Sequence, residues 1–226
     1  IGAGVIGVEY ATIFSALDAR ITLIDSRNTI LDFVDGDIVD EFKHDLQSRG
    51  IQLRLGEDVE RVEKAPDGRV VTHLKSGKRI CSDLLMAASG RMGATADLDL
   101  DKAGLAADNR GRLTVELTYQ TAVPHIYAVG DVIGFPALAS TSAEQGRLAA
   151  CHAFGSSADA ATDYFPLGIY AVPEISMVGK TEEQLTTEGI PYESGIAHYR
   201  EIARGKLLGD DSGMLKLLIH QETHKI

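Results

Sequence analysis

The first seven residues, Ile1-Gly2-Ala3-Gly4-Val5-Ile6-Gly7, carry three glycines in the spacing G-x-G-x-x-G. No other feature constrains the fold of this chain as strongly. The spacing suits a tight strand-to-helix turn wrapped around a pyrophosphate. Gly2 permits the turn, Gly4 lets backbone approach a phosphate with no Cβ in the way, and Gly7 allows the helix to pack closely on the strand. Val5 and Ile6 lie inside the same loop, so the five residues Gly2, Gly4, Val5, Ile6 and Gly7 are taken together as a phosphate cradle at the positive end of a helix. Glycines also serve ordinary turns, so the context decides. A helical stretch runs from Gly7 to Leu17, and a β-branched apolar strand follows from Arg20 to Ile24. Asp25 ends that strand, 18 positions after Gly7. This is close to the ~20-residue spacing of an acid that meets the adenosine ribose of a dinucleotide.

Asp25 bears on which dinucleotide is bound. A carboxylate accepts hydrogen bonds from a ribose 2′-hydroxyl and repels a 2′-phosphate, whereas Arg27, two positions on, can pair with that phosphate. The pair is compatible with NAD(H) and NADP(H) alike. Arg27 reads equally well as a solvated loop charge.

Further along, helix is expected over Asp37–Ser48 and strand over Ile51–Leu55. Val59–Glu63, Val70–Leu74 and Lys78–Cys81 alternate like strands, separated by the hairpin-type turns PDGR and KSGK. Asp83–Ala88 reads as a buried strand. A Gly-, Asp- and Ala-rich connection follows, then a strand over Ile126–Val129 ending in Gly130-Asp131, and a helix over Thr141–Phe154. Beyond GSSADAATDYFP come a short helix at Thr181–Glu188 and strands at Tyr192–His198 and Met214–His220.

Composition removes several function classes. The 226 residues carry a net charge of −11, which argues against nucleic acid and anionic membranes as partners. Aromatic residues make up 6% and Trp is absent, so a base-stacking platform is not expected. No apolar run approaches the ~20 residues of a membrane span. Cys81 and Cys151 match no metal or redox spacing and suit reduced thiols in a cytoplasmic protein. His220 and His224 fall at a strand end, so no metal site is expected.

The stretches GAGVIGVEYA, AASGR, YQTAVPHIYAVGDVIG and VPEISMVGKTEEQL, in this order and spacing, resemble landmarks of the pyridine nucleotide-disulfide oxidoreductase family of FAD- and NAD(P)-binding flavoproteins. The resemblance covers essentially the whole chain. It implies an α/β fold with a Rossmann-like three-layer dinucleotide-binding domain and β-meander over residues 1–92, its first strand missing. The C-terminal part of an FAD domain is expected over 93–158, and the start of an α+β interface domain that forms dimers over 159–226. On this reading the chain is an internal fragment of a longer, cytoplasmic, homo-oligomeric enzyme.

The resemblance also implies roles for individual residues. Gly2, Gly4 and Gly7 would hold the nicotinamide dinucleotide's pyrophosphate. Glu9 would lie near its nicotinamide end, or be a partly exposed helix acid. Asp25 would meet the adenosine ribose. Val59 aligns with an adenine contact and equally with a core strand residue. Gly90 would lie beside the nicotinamide. Gly130 and Asp131 would meet the ribityl chain of FAD, and the backbone of Ala137, Leu138, Ala139 and Ser140 would face the flavin's pyrimidine edge. The implied activity is hydride transfer from NADPH to NAD⁺ through FAD, with no side chain assigned as a catalytic acid or base. A dihydrolipoamide dehydrogenase-like disulfide reductase is the alternative within the family, and a nucleotide-binding fragment without turnover is the alternative outside it.

Overall fold

Gly4 stands in extended backbone as the N-cap of the first helix, α1 (Val5–Ala16). The computed structural model describes residues 1–157 and 165–226. One face of α1 buries Gly7, Val8, Ala11 and Thr12; the opposite face leaves Ile6, Tyr10, Ile13, Phe14 and Leu17 exposed. Strand β1 (Thr22–Asp25) follows, then α2 (Gly36–Ser48) and β2 (Gln52–Leu55). β1 and β2 pair in parallel, Thr22 opposite Gln52 and Asp25 opposite Leu55, as strands joined through a crossover helix can. α2 starts where its sequence says it should. The Asp35 side chain accepts from the Asp37 N–H, satisfying a free helix-end donor, and the acid of Asp37 suits the helix dipole. Val39, Phe42 and Leu46 recur on its buried face.

β3 (Val59–Lys64), β4 (Val70–Leu74) and β5 (Arg79–Ser82) form an antiparallel meander in the order β3-β4-β5. The turns PDGR and KSGK close it, with Gly68 and Gly77 at positive φ. Asp83–Ala88, expected as a buried strand, is not one. Its backbone hydrogen-bonds to Ile1, whose amino group donates to the Met86 carbonyl (2.8 Å) and whose carbonyl accepts from the Ala88 N–H (2.7 Å). The Gly2 N–H in turn donates to the Ile24 carbonyl (2.8 Å). One residue of pairing does not make a ladder, and Leu84 remains 74% exposed.

Residues 1–90 and 168–226 form one compact unit, and residues 91–167 another. The core of the first unit gathers Ala3, Val8, Leu23, Ile30, Leu31, Phe42 and Leu46 together with Ile169, Ala171 and Ile175. Each such fully buried aliphatic or aromatic side chain contributes about 2 kcal/mol. In this unit lie the two-stranded sheet of β6 (Leu167–Ile169) and β7 (Ile175–Met177), then α4 (Glu182–Glu188), β8 (Tyr192–His198), α5 (Ala203–Leu208) and β9 (Met214–His220). α4 opens on a reciprocal capping box between Thr181 and Gln184 and ends at left-handed Gly189. β8 and β9 pair antiparallel along their whole length.

Lys216 of β9 ties this hairpin to two helix starts. Its Nζ, on a side chain only 4% exposed, donates to Asp35, Asp37 and Glu182, each at 2.7 Å. Burial alone would push the ammonium's pKa down, but the three carboxylates hold it above its ordinary value. The three acids converge as cation ligands do, and the cation they hold is this lysine.

In the second unit α3 (Ala139–Ala153) is the long helix, two residues earlier at its start than expected. Ile126–Val129 is not a strand: only the bridge Gln120–Tyr127 pairs there, and Thr121 takes the Ile126 carbonyl with both its N–H and its hydroxyl. The sequence-expected boundary between residues 158 and 159 lies outside the described residues.

Candidate functional site

The residues singled out by sequence fall into two groups, one in each unit. In the first, the glycine loop is shaped by contacts that leave no alternative to glycine at two of its three positions. A Cβ on Gly7 would stand 1.8 Å from the Gly2 carbonyl oxygen. A Cβ on Gly2, whose φ is +98°, would stand 2.4 Å from the Ala88 carbonyl oxygen. Gly4 differs: the nearest atom to its missing Cβ is Nη2 of Arg27, 4.0 Å away. The loop is therefore closed where helix meets strand and open where a phosphate would lie. α1 has no side-chain cap and no acid in its first turn, which leaves its first N–H groups to a ligand.

Asp25 is fastened to this loop. Its Oδ2 accepts from the Ala3 N–H (2.6 Å) and from Nη2 of Arg27 (3.0 Å); its Oδ1 accepts from the N–H (2.8 Å) and Nε (3.0 Å) of Arg27. Burial would raise the carboxyl pKa, but the Arg27 guanidinium and the two backbone donors outweigh it and bring the group down to about 2. The Nη1 of Arg27, on a side chain 40% exposed, also donates to Asp32 (2.9 Å). Nothing in the local sequence pattern pointed to Asp32, which follows Arg27 across Asn28, Thr29 and the buried Ile30 and Leu31. The backbone of Ser89 comes within 3.1 Å of the missing Cβ of Gly2, so Gly90, at φ +113° with open space around its Cα, sits one residue from the loop. Val59 opens β3, two residues after Glu57, whose N–H donates to the Asp25 carbonyl (3.0 Å). Glu9 points elsewhere: its Oε1 accepts from the Tyr170 N–H (2.9 Å).

The second group is built around Gly130, at φ +76°, which opens the 3₁₀ turn Gly130–Ile133. Its N–H donates to Oε1 of the buried Gln145 on α3 (2.7 Å). A Cβ at Gly130 would lie 2.9 Å from the Ser142 hydroxyl, and that hydroxyl donates to the Leu138 carbonyl (2.9 Å). The turn and the start of α3 are thus joined. Asp131 is 47% exposed and pairs with Arg91 at 3.0 Å. Leu138 caps α3 with no side-chain hydrogen bond, while Ala137, Ala139 and Ser140 are exposed.

One unit carries a glycine loop with a fastened acid, the other an acid-bearing turn at a helix start, within a mixed α/β architecture. Residues 1–146 match the family described as pyridine nucleotide-disulphide oxidoreductase, and residues 165–226 match its dimerisation domain. The chain belongs to the pyridine nucleotide-disulphide oxidoreductase family. It is 52% identical over its whole length to the soluble pyridine nucleotide transhydrogenase of Mycobacterium bovis and 47% identical to that of Vibrio cholerae, spanning 48% of each. The chain therefore spans about half the length of these curated relatives. Among solved structures it resembles LpdA from Mycobacterium tuberculosis (TM-score 0.89, 25% identity, 98% of this chain and 48% of that one). It also resembles the HOCl-induced flavoprotein disulfide reductase RclA from Escherichia coli (TM-score 0.88, 29% identity, 99% of this chain and 51% of that one). The mixed α/β architecture is that of the flavoprotein disulfide reductases. No helix among the described residues is long and apolar enough to cross a membrane.

Proposed function

We propose that the protein carrying this sequence is a flavin-dependent oxidoreductase that transfers hydride from NADPH to NAD⁺ through FAD. The observation that carries the reading is the attachment of Asp25 to the Ala3 N–H, which holds a ribose-binding acid against a loop open at Gly4. The transhydrogenase name of relatives at 47–52% identity narrows the reaction. Gly2, Gly4, Val5, Ile6 and Gly7 hold the pyrophosphate of the nicotinamide nucleotide. Asp25 and Arg27 meet its adenosine ribose, Val59 its adenine and Gly90 its nicotinamide end; Glu9, bonded to the Tyr170 N–H, is left out of the proposed site.

The second group has the chemistry FAD needs: a half-exposed carboxylate at Asp131, a left-handed glycine before it, and an uncapped helix start. Gly130 and Asp131 would hold the ribityl chain by accepting from its hydroxyls. Backbone N–H groups from Ala137 to Ser140 would donate to the pyrimidine edge. FAD, when bound, supplies the two-electron carrier between the nucleotides. The side chains bind and orient, and none is assigned to move a proton. The proposed organisation is a dinucleotide domain over 1–92, part of a FAD domain over 93–158 and part of an interface domain over 159–226. The protein would act as a cytoplasmic homodimer or higher homo-oligomer.

The likeness to RclA supports a second reading, disulfide reduction, at lower identity (29% against 52%). The test is the purified protein carrying this sequence, assayed with NADPH and a thionicotinamide analogue of NAD⁺. Turnover with bound FAD, and loss of most of the flavin in Asp131→Ala, is the expected result. Unchanged flavin content in that variant places the flavin elsewhere. Reduction of a disulfide in place of the nucleotide analogue favours the second reading.

A further inference from the structure

The ribose seat on Asp25 is already occupied. Two of its hydrogen bonds come from backbone N–H groups, those of Ala3 and Arg27, and belong to the loop itself. The other two come from the Arg27 guanidinium, through Nε and Nη2. A ribose diol has to take the places those two donors hold. Nη2 is also the atom nearest the missing Cβ of Gly4, 4.0 Å away, so the guanidinium borders the glycine loop. Its remaining terminal nitrogen, Nη1, is held by Asp32. Exposure is unequal among the three. The side chain of Asp25 is 7% exposed, while those of Arg27 and Asp32 are 40% and 51% exposed. Asp25 is enclosed, while the other two side chains face solvent.

We propose that Arg27 gates the ribose seat and that Asp32 is the positioning residue that sets which nicotinamide nucleotide opens the gate. This rests on the dinucleotide reading above. With NAD(H), the 2′-hydroxyl replaces the guanidinium on Asp25, and Arg27 stays tethered to Asp32, so its charge is not left unpaired. With NADP(H), the 2′-phosphate takes the guanidinium in a bidentate, charge-assisted pair, and Asp32 competes with it for the same nitrogens. Asp32 therefore favours NAD(H), and Arg27 makes NADP(H) acceptable at a site whose acid would otherwise repel it.

The experiment is calorimetric titration of NAD⁺ and NADP⁺ into the protein carrying this sequence and into Asp32→Asn, Arg27→Gln and the double variant. Asp32→Asn should tighten NADP⁺ about threefold, as for a competing exposed ion pair, without tightening NAD⁺. Arg27→Gln should weaken NADP⁺ about tenfold, as for loss of a charge-assisted contact, without weakening NAD⁺. In the double variant the effect of Asp32→Asn should vanish, because Asp32 acts through Arg27. Equal shifts for both nucleotides in Arg27→Gln, or a persisting Asp32→Asn effect in its absence, overturn the gate alone. Failure of the unsubstituted protein to bind either nucleotide overturns the dinucleotide reading and the gate together.

Discussion

The loop at Gly2–Gly7 and the turn at Gly130–Ile133 each bring an acid to the end of an extended segment, but they are held in different ways. The first is closed by backbone against backbone: Gly7 on Gly2, Gly2 on Ala88. Its acid, Asp25, is buried and fully bonded. The second is anchored through one side chain, Gln145, which accepts from the Gly130 N–H, and its acid remains half exposed on an ion pair with Arg91. A turn sealed by glycines fixes its geometry before any ligand arrives. A turn with an exposed acid leaves more of its hydrogen bonding to whatever binds there. The first region should thus be costly to alter in the protein by itself, and the second cheap.

Gly7→Ala is the most severe way to probe this contrast. A methyl 1.8 Å from a carbonyl oxygen forces α1 off the sheet, and a loss of ~3 kcal/mol is expected in urea unfolding. A loss below about 1 kcal/mol would mean that the loop is not sealed. Asp25→Asn comes next. The folded pKa of about 2 against ~3.9 for a free side chain corresponds to about 2 to 3 kcal/mol at neutral pH. Because the folded pKa is depressed, this stability is present above pH ~4 and is lost as pH falls toward 2. Unfolding curves of the two proteins should therefore converge between about pH 4 and pH 2. Divergence in that window would contradict the bonding described. The smallest effect on the fold belongs to the second region: Asp131→Asn should change stability by less than ~0.5 kcal/mol, since its ion pair with Arg91 is exposed. A larger loss would erase the contrast.

What the sequence showed and what it hid follow one physical rule. The glycine loop, the hairpin turns PDGR and KSGK, and the strands Tyr192–His198 and Met214–His220 are written in local spacing and alternation, and were legible. The loop's acid was legible too, because the distance from Gly7 to Asp25 is a property of the β-α-β unit. Asp83–Ala88 and Ile126–Val129 have strand-like composition, yet strand structure depends on neighbours that composition does not show. Long-range charge pairing was invisible for the same reason. Lys216 meets Asp35 from 181 positions away, and Lys216 stands in an alternating strand where nothing marks it as buried. Arg27 had two open readings in sequence, and its pairing with Asp25 and Asp32 was visible in neither.

Gly4→Ala gives the most direct test of the central claim, that the opening loop is a preformed phosphate cradle. The added methyl meets no atom closer than 4.0 Å, and φ at this position is −78°, which alanine adopts freely. The melting temperature should hold, while calorimetric titration should show NAD⁺ affinity falling by about tenfold or more, because the methyl stands where the pyrophosphate must lie. Unchanged NAD⁺ affinity in a folded Gly4→Ala protein would contradict the account.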